Sequence, residues 1–209
     1  MARLYIRKVI VTLHPGTGKA KQFSELRVKF KCEKNNESKP NPCEVSIYNL
    51  APETRVSLES KNSSIVLAAG YEDTVETIFT GNITKVVHQQ EGPDIISKLE
   101  VKDGGNRYRN AKIEKGFPPG VKTQQVLDEL IAQLGLPRGA VIGVPNSQYA
   151  NGVSLSGLVK DRLDDICRKN GLQWSIQNGI VQVVPEGETT NDAVILLSPD
   201  TGLIGSPNK

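Results

Sequence analysis

Few side chains in this sequence of 209 residues have the types and spacing that catalysis or metal binding requires. The two histidines, His14 and His88, are far apart, and neither has a second histidine or a cysteine at metal-ligand spacing. Cys167 falls in an apolar helical pattern without an identifiable partner base, which favours a buried thiol over a nucleophile. We therefore expect no metal site, no cofactor and no enzymatic activity.

Two other groups of residues resemble chemical sites only in part. Residues 16–19 (Gly-Thr-Gly-Lys) lack the full phosphate-loop pattern and the helix that must follow it, so they predict a hairpin turn. Asp161, Asp164 and Asp165 lie in a predicted helix. Asp161 and Asp165 share the side opposite the leucines, which indicates a solvated face rather than a pair of hydrolytic carboxylates.

The clearest functional pattern is basic. Residues 1–39 contain ten lysines and arginines against three glutamates, although the whole chain carries a net charge of only +3. Arg27, Lys29 and Lys31 alternate with apolar residues, including Phe30, which predicts a half-buried strand with three bases on one face. No aromatic residue shares that face, so stacking of single-stranded nucleobases is disfavoured. Two interpretations stay open: a surface that faces phosphates, or a solvated strand face, which is the commoner one.

A polar stretch at residues 33–42 follows this strand and includes Lys34, Asn36 and Lys39. It contains almost no apolar groups that could fix it in a core, so the sequence predicts a loop that becomes ordered only on assembly. Because exposed loops often carry binding residues, these two lysines and the asparagine are candidate contact residues.

The three cysteines are a sparse and odd set, which is typical of a reducing compartment rather than of a disulfide framework. Cys32 and Cys43 could pair across a hairpin, but isolated, partly buried thiols are commoner and are what we expect. No apolar run approaches the roughly 20 residues that a membrane helix needs. The N-terminus alternates like a strand and unlike a secretory signal.

The elements that must position these residues change in character near Gly104-Gly105. Before that point the pattern is mainly of strands, with one short helix that has Pro52 in its first turn. Such a series predicts a compact antiparallel barrel or sandwich. The strands are predicted at residues 4–13, 26–31, 43–49, 64–71, 76–88 and 94–102.

After that point two helices are predicted, at residues 123–134 and 155–170, each closed by a glycine. A hairpin follows, with its turn at Asn178-Gly179 and with Trp174 as a packing anchor. The predicted fold class is α+β, a mainly antiparallel β-barrel or sandwich followed by a small α+β domain with two helices and a hairpin. We assign residues 1–105 to the barrel, 106–190 to the small domain, and 191–209, with an apolar strand at 193–197, to a segment leading out of or back to the barrel.

Several motifs resemble the baseplate hub proteins of tailed bacteriophages. The segments VSIYNLAPETR (45–55), AGYE (69–72) and IFTGNI (78–83) are similar to the N-terminal domain of that family. The segment at 121–137 together with GLQWSI (171–176) is similar to the helical insert after the family's first barrel. LLSPDTGLIGSP (196–207) is similar to the segment that leads back toward a second barrel.

The resemblance implies a structural virion protein that forms a ring between tail tube and spike, through which the genome passes. It implies self-association, as a trimer rather than a hexamer, and contact with the tail tube, the spike and other baseplate proteins. Transient, non-specific DNA passage and a location in the tail baseplate, after assembly in the host cytoplasm, are further implications. Arg27, Lys29 and Lys31 would then line the lumen or grip the adjacent subunit.

One departure from the family concerns length. The sequence ends at Lys209, where relatives continue into a second barrel, so we expect either a fragment or a short member with one barrel.

The alternative function is a peptidoglycan- or glycan-binding module of a tail tip, because small domains with two helices and a hairpin often have that role. Tyr149 and Trp174 are its candidate sugar-stacking residues, although a core position is the commoner interpretation for Trp174.

Overall fold

In the computed structural model, which describes residues 6–71 and 74–190, the first half of the chain forms one antiparallel sheet. Its strands are β1 (Arg7–His14), β2 (Lys21–Phe23), β3 (Val28–Cys32), β4 (Pro42–Tyr48), β5 (Ser64–Tyr71), β6 (Thr74–Glu91) and β7 (Asp94–Lys102). The strand order is β2-β1-β5-β6-β7-β4-β3. All the predicted strands of this region are therefore confirmed within the described residues, and β2 is one that the sequence did not predict. The connection through residues 16–19 is the predicted hairpin between β1 and β2.

One face of this sheet is apolar because side chains alternate along each strand. The register places Val11 opposite Leu67 and Leu67 opposite Phe79, and all three are fully buried. The helix α1 (Pro52–Leu58) begins with a proline in its first turn and buries Leu58 in the same core. The other face carries mainly polar and charged side chains.

The sheet is open in the described residues, because its end strands β2 and β3 do not pair with each other. The predicted α+β class is confirmed, but no closed barrel is formed by this part of the chain. The predicted absence of a disulfide is wrong. Cys32 and Cys43 lie directly opposite each other in β3 and β4, with 4.0 Å between their Cα atoms, and they are bonded.

The second half of the chain packs helices against small sheets. Its elements are α2 (Gly105–Asn110), β8 (Lys112–Phe117), β9 (Val121–Lys122), α3 (Thr123–Leu134), β10 (Arg138–Val141), β11 (Gln148–Tyr149), β12 (Val153–Leu158), α4 (Val159–Lys169), β13 (Leu172–Gln177) and β14 (Ile180–Pro185). β10, β14 and β13 form one sheet, and β11 with β9 and β12 with β8 form two others.

Two predictions for this half are confirmed to the residue. The helix α3 has the predicted bounds and ends at Gly135, whose φ of 71° suits a residue without a side chain. The hairpin of β13 and β14 turns at Asn178-Gly179, where both residues have positive φ, 53° and 80°. Trp174 is the predicted core anchor and is 2% exposed.

The predicted start of the second helix is wrong. Residues 153–158 form β12, paired with β8, and the helix α4 begins only at Val159. Leu155 is buried while Ser154 and Ser156 are exposed, so the period here is two rather than 3.6. The strand predicted at 193–197 and the segment assigned to 191–209 lie outside the described residues.

Two separate apolar cores result, and no buried residue belongs to both. We name the parts around them the sheet lobe (residues 6–102) and the C-terminal lobe (residues 105–190). Asp103 and Gly104 connect the two along the chain. No helix in the described part of the chain is long and apolar enough to span a membrane.

Candidate interaction surface and lobe junction

The three predicted bases lie at the β3 end of the sheet, on the face opposite the core. Arg27, Lys29 and Lys31 are all exposed. The Arg27 guanidinium carbon lies 4.5 Å from the centroid of the Tyr48 ring, and the Lys29 Nζ atom lies 5.7 Å from it. An aromatic ring therefore shares the face of these bases, which corrects the prediction that none does, and Tyr48 orients two of them through cation–π contacts.

This face is not uniformly basic. A row of charged residues crosses four neighbouring strands in the order Lys31, Glu44, Glu100 and Lys85. The Lys85 Nζ atom lies 3.0 Å from Glu100 Oε1, and the Lys31 Nζ atom lies 2.7 Å from Glu33 Oε1. The latter hydrogen bond raises the pKa of Lys31 and lowers the pKa of Glu33. A row of mixed charges suits a protein partner better than a phosphate backbone, which needs unopposed cations.

The strand β3 is the last strand of the sheet, so one of its sides has no neighbouring strand among the described residues. Tyr48 N–H donates to Arg27 C=O, and Glu33 N–H donates to Pro42 C=O. Because these bonds alternate along a strand, Phe30 directs its backbone groups away from β4. The Phe30 side chain is 40% exposed, which corrects its predicted position on the buried face of this strand.

The loop at residues 33–42 has partners inside the chain that the sequence did not predict. The Lys34 Nζ atom donates to Asn178 Oδ1 at 2.8 Å, and Gln177 Nε2 donates to the Asn35 C=O at 2.7 Å. Asn36 and Lys39 lie on the same loop and line a cleft of about 680 Å³ against α4 and β13. The loop therefore contacts the C-terminal lobe without any other protein, and its ordering on assembly stays a prediction.

A buried polar cluster joins the lobes beneath this loop. Asn41 is 1% exposed and Asp103 is not exposed at all. Asn41 N–H donates to Asp103 Oδ1 at 2.7 Å, and Asn41 Nδ2 donates to Asp103 Oδ2 at 3.2 Å and to the Ile176 C=O at 2.9 Å. Asn35 N–H donates to Asn41 Oδ1 at 2.9 Å. A single asparagine thus binds the loop, the end of the sheet and the C-terminal hairpin.

Burial raises the pKa of Asp103 to about 6, against the opposing effect of the hydrogen bonds from Asn41 and of the Lys34 charge. Burial also lowers the pKa of Lys34. Sequence reasoning missed both Asn41 and Asp103. The one hint was the change of pattern at Gly104-Gly105, which marks a junction but does not identify the residues that hold it.

The candidate sugar-stacking residues do not form a binding face. Trp174 is buried, and its Nε1 atom donates to Asp164 Oδ1 at 2.7 Å. Tyr149 is partly buried and packs against the same core. Since a sugar needs an exposed ring face, the glycan-binding alternative loses the residue on which it chiefly depended.

Three residues of types that catalysis uses, Cys167, Asp165 and His88, are buried or have partners within the chain. Cys167 is buried as predicted, and burial raises the pKa of its thiol to about 12, so it is a poor nucleophile at neutral pH. Asp165 pairs with Arg162 and Arg168, at 3.2 and 3.0 Å. The His88 Nδ1 atom lies 2.9 Å from Ser97 Oγ. Among the described residues, no three His, Cys, Asp or Glu side chains are grouped as metal ligands would be.

No protein-family model and no curated protein sequence matches this chain. Its structure is similar to the 43 kDa tail protein of prophage MuSo2 from Shewanella oneidensis, with a TM-score of 0.64 and 10% identity over 88% of this chain and 55% of that protein. The chain has the fold of prophage tail proteins. A tail protein from Neisseria meningitidis MC58 gives a TM-score of 0.57 at 14% identity, over 86% of this chain and 50% of that one.

A third solved structure also matches the fold of this chain. The lidded Francisella PdpA-VgrG complex contains a chain that matches with a TM-score of 0.53 and 10% identity, over 94% of this chain and 32% of that one. The resemblance to tailed-phage proteins is therefore confirmed at the level of the fold. This chain spans about half the length of the two prophage tail proteins.

Proposed function

We propose that this protein is a structural component of a phage tail. The observation that carries the proposal is the similarity to the MuSo2 tail protein over 88% of the chain. The chemistry of the surface supports it. Among the described residues, the exposed charged side chains lie beside a strand edge and on a mixed-charge face, and the cleft beside α4 contains a thiol whose pKa is raised by burial to about 12. The proposal includes a location in the assembled tail and no enzymatic activity.

The finer role we propose is that of a baseplate hub ring between tail tube and spike, through which the genome passes. An open sheet has two different edges, here β2 and β3. Contact between unlike edges of adjacent copies is heterologous, and it closes into a ring when the rotation between copies allows it. The mixed charges near β3 would set the partner and the register of that contact, with a trimer as the proposed state.

Light scattering over a range of protein concentrations tests this role. The chain has a mass of 22.8 kDa, so a trimer or a hexamer would appear at about 68 or about 137 kDa. A species that stays at the monomer mass at every concentration would contradict a ring formed by this chain alone.

A proline at position 30 sharpens the test. The Phe30 N–H points away from β4, so Phe30→Pro blocks an added strand while leaving the β3–β4 bonds intact. Phe30→Ala is the matched control, because it removes the same side chain and keeps the N–H. We expect Phe30→Ala to assemble and Phe30→Pro to remain monomeric. Equal assembly of the two variants would show that the β3 edge is not the contact.

A further inference from the structure

The strand β13 is the last strand of its sheet, so one of its edges has no neighbouring strand among the described residues. The hairpin turn decides which backbone groups face that edge, because bonded and non-bonded pairs alternate along two antiparallel strands. Gln177 and Ile180 flank the two-residue turn and form a bonded pair. The N–H and C=O groups of Leu172, Trp174 and Ile176 therefore point away from β14.

These outward-facing groups are buried. Leu172, Trp174 and Ile176 are 4%, 2% and 0% exposed, so water has little access to their backbone. The Ile176 C=O accepts the bond from Asn41 Nδ2, which agrees with its outward direction. Among the described residues, none pairs with the N–H or the C=O of Trp174 across this edge. Because buried backbone groups in folded proteins are nearly always paired, we expect the partner of this edge outside the described residues.

The cleft of about 680 Å³ lies along the same edge. Leu172 and Trp174 line it from β13, Cys167 lines it from α4, and residues 36–39 line it from the loop. These three side chains belong to the core of the C-terminal lobe. A strand added here would pair with the Trp174 backbone and place apolar side chains against this part of the core.

The described part of the chain ends beside this edge. Gln173 Nε2 donates to the Glu188 C=O at 3.3 Å, so the chain after β14 returns to β13. Thr190 and Gln173 line a second cleft, of about 270 Å³, which shares Asn36 with the first. The apolar run Ala-Val-Ile-Leu-Leu follows at residues 193–197. Three residues of extended chain span about 10 Å, which is enough for this run to reach the β13 edge.

We propose that residues 193–197 form an added strand, which pairs with Leu172 and Trp174 along the β13 edge and fills the cleft beside α4. The proposal does not depend on the proposed function. The sheet of β10, β14 and β13 gains a fourth strand, and the buried backbone groups of Trp174 gain partners. The same strand covers the one edge at which the core of the C-terminal lobe reaches an open cleft.

Hydrogen exchange followed by nuclear magnetic resonance on the full chain tests this pairing. The reporter is the Trp174 amide, which faces the added strand, and the reference is the Ser175 amide, which faces β14. Val194→Pro/Ile195→Pro blocks the strand in either register, because one of two adjacent N–H groups must face β13. In this variant we expect the protection of Trp174 to fall about tenfold or more while that of Ser175 stays within about twofold of the wild type.

Gly202→Pro/Leu203→Pro is the matched control, because it places the same two prolines in the same terminal segment but outside residues 193–197. It should keep the wild-type protection of Trp174. Equal protection of Trp174 in all three proteins would overturn the proposal, and so would a Trp174 amide that is unprotected in the wild type. Protection that rises with protein concentration, together with the mass measured by light scattering, would also overturn it, since the strand would then come from a second copy.

Discussion

The two lobes use their apolar residues in different ways. The sheet lobe buries one face of a single sheet under the short helix α1 and leaves the other face and both edges uncovered in the described residues. The C-terminal lobe surrounds its core with α3, α4 and the β13–β14 hairpin, and its buried residues come from every one of these elements. The first arrangement leaves much backbone and side-chain surface free for contact, and the second leaves little.

This difference indicates which lobe has side chains free for contact with other proteins. In the C-terminal lobe, the residues whose types suit binding or catalysis belong to the core or its edge. Trp174 is buried, Asp164 accepts a hydrogen bond from its Nε1 atom, and Cys167 is buried. In the sheet lobe, Arg27 and Lys29 are exposed beside an uncovered edge. We therefore expect assembly contacts from the sheet lobe rather than from the C-terminal lobe.

The largest expected effect tests whether the lobes unfold separately. Leu130 and Leu67 are fully buried, one in each core. Replacement of either by alanine should cost about 2–5 kcal/mol, because it removes apolar contacts and leaves a cavity. Trp174 is the only tryptophan, so its fluorescence during urea unfolding reports on the C-terminal lobe.

We expect Leu130→Ala to shift the fluorescence transition strongly and Leu67→Ala to shift it little. The protection of the Leu99 amide in β7 from hydrogen exchange, which reports on the sheet lobe, should show the reverse order. If both variants shift the tryptophan transition equally, the two cores form one cooperative unit and the comparison between lobes fails.

The sheet lobe was the more predictable from sequence, because its strands have a polar face and an apolar face. Residues 98–102 alternate between charged and apolar types, and the strands predicted at 64–71 and 94–102 match the observed ones. In the C-terminal lobe, Leu155 and Leu158 are three residues apart, which fits one face of a helix, whereas the observed strand places them on opposite faces. Only the pairing of β12 with β8, a long-range contact, decides between them.

The residues of the candidate interaction surface were predictable only where side chains alternate between the two faces of a single strand. Arg27, Lys29 and Lys31 share a face because they are two residues apart. The disulfide between Cys32 and Cys43 depends on the register of β3 against β4, and the cluster of Asn41 with Asp103 joins residues 62 positions apart. No pattern within a short window contains that information.

Loss of the disulfide is the next largest effect. Cys32 and Cys43 are 11 residues apart, and opening a loop of this size gives the unfolded chain enough freedom to lower stability by about 2–4 kcal/mol. Hydrogen exchange at the amide of Leu99 in β7, with and without dithiothreitol, measures this in the sheet lobe. Cys32→Ala/Cys43→Ala should behave like the reduced protein and be insensitive to the reductant. A reductant effect that persists in this double variant would contradict the assignment.

A smaller effect is expected at the junction. Asn41→Ala removes three side-chain hydrogen bonds, to Asp103, Ile176 and Asn35, and should cost about 1–3 kcal/mol. Thermal unfolding compares it with Asn106→Ala, which cuts an exposed bond between the lobes and should cost less than about 0.5 kcal/mol. Equal effects of the two variants would mean that the buried cluster holds the lobes no better than a surface contact does.

The smallest effect on stability should accompany the largest effect on assembly. Arg27→Glu/Lys29→Glu removes two exposed cation–π contacts with Tyr48, so unfolding should change by less than about 2 kcal/mol in total. The same change reverses the charge beside the β3 edge, where like charges on an adjacent copy would oppose docking.

Light scattering should therefore show loss of the oligomer in this variant while its unfolding midpoint remains close to that of the wild type. Lys112→Glu/Lys169→Glu is the matched control, since it makes the same charge change at exposed positions of the C-terminal lobe. It should assemble normally if contacts between copies belong to the sheet lobe. Loss of assembly in both variants would instead point to net charge as the cause, and normal assembly in both would remove the basic residues from the contact.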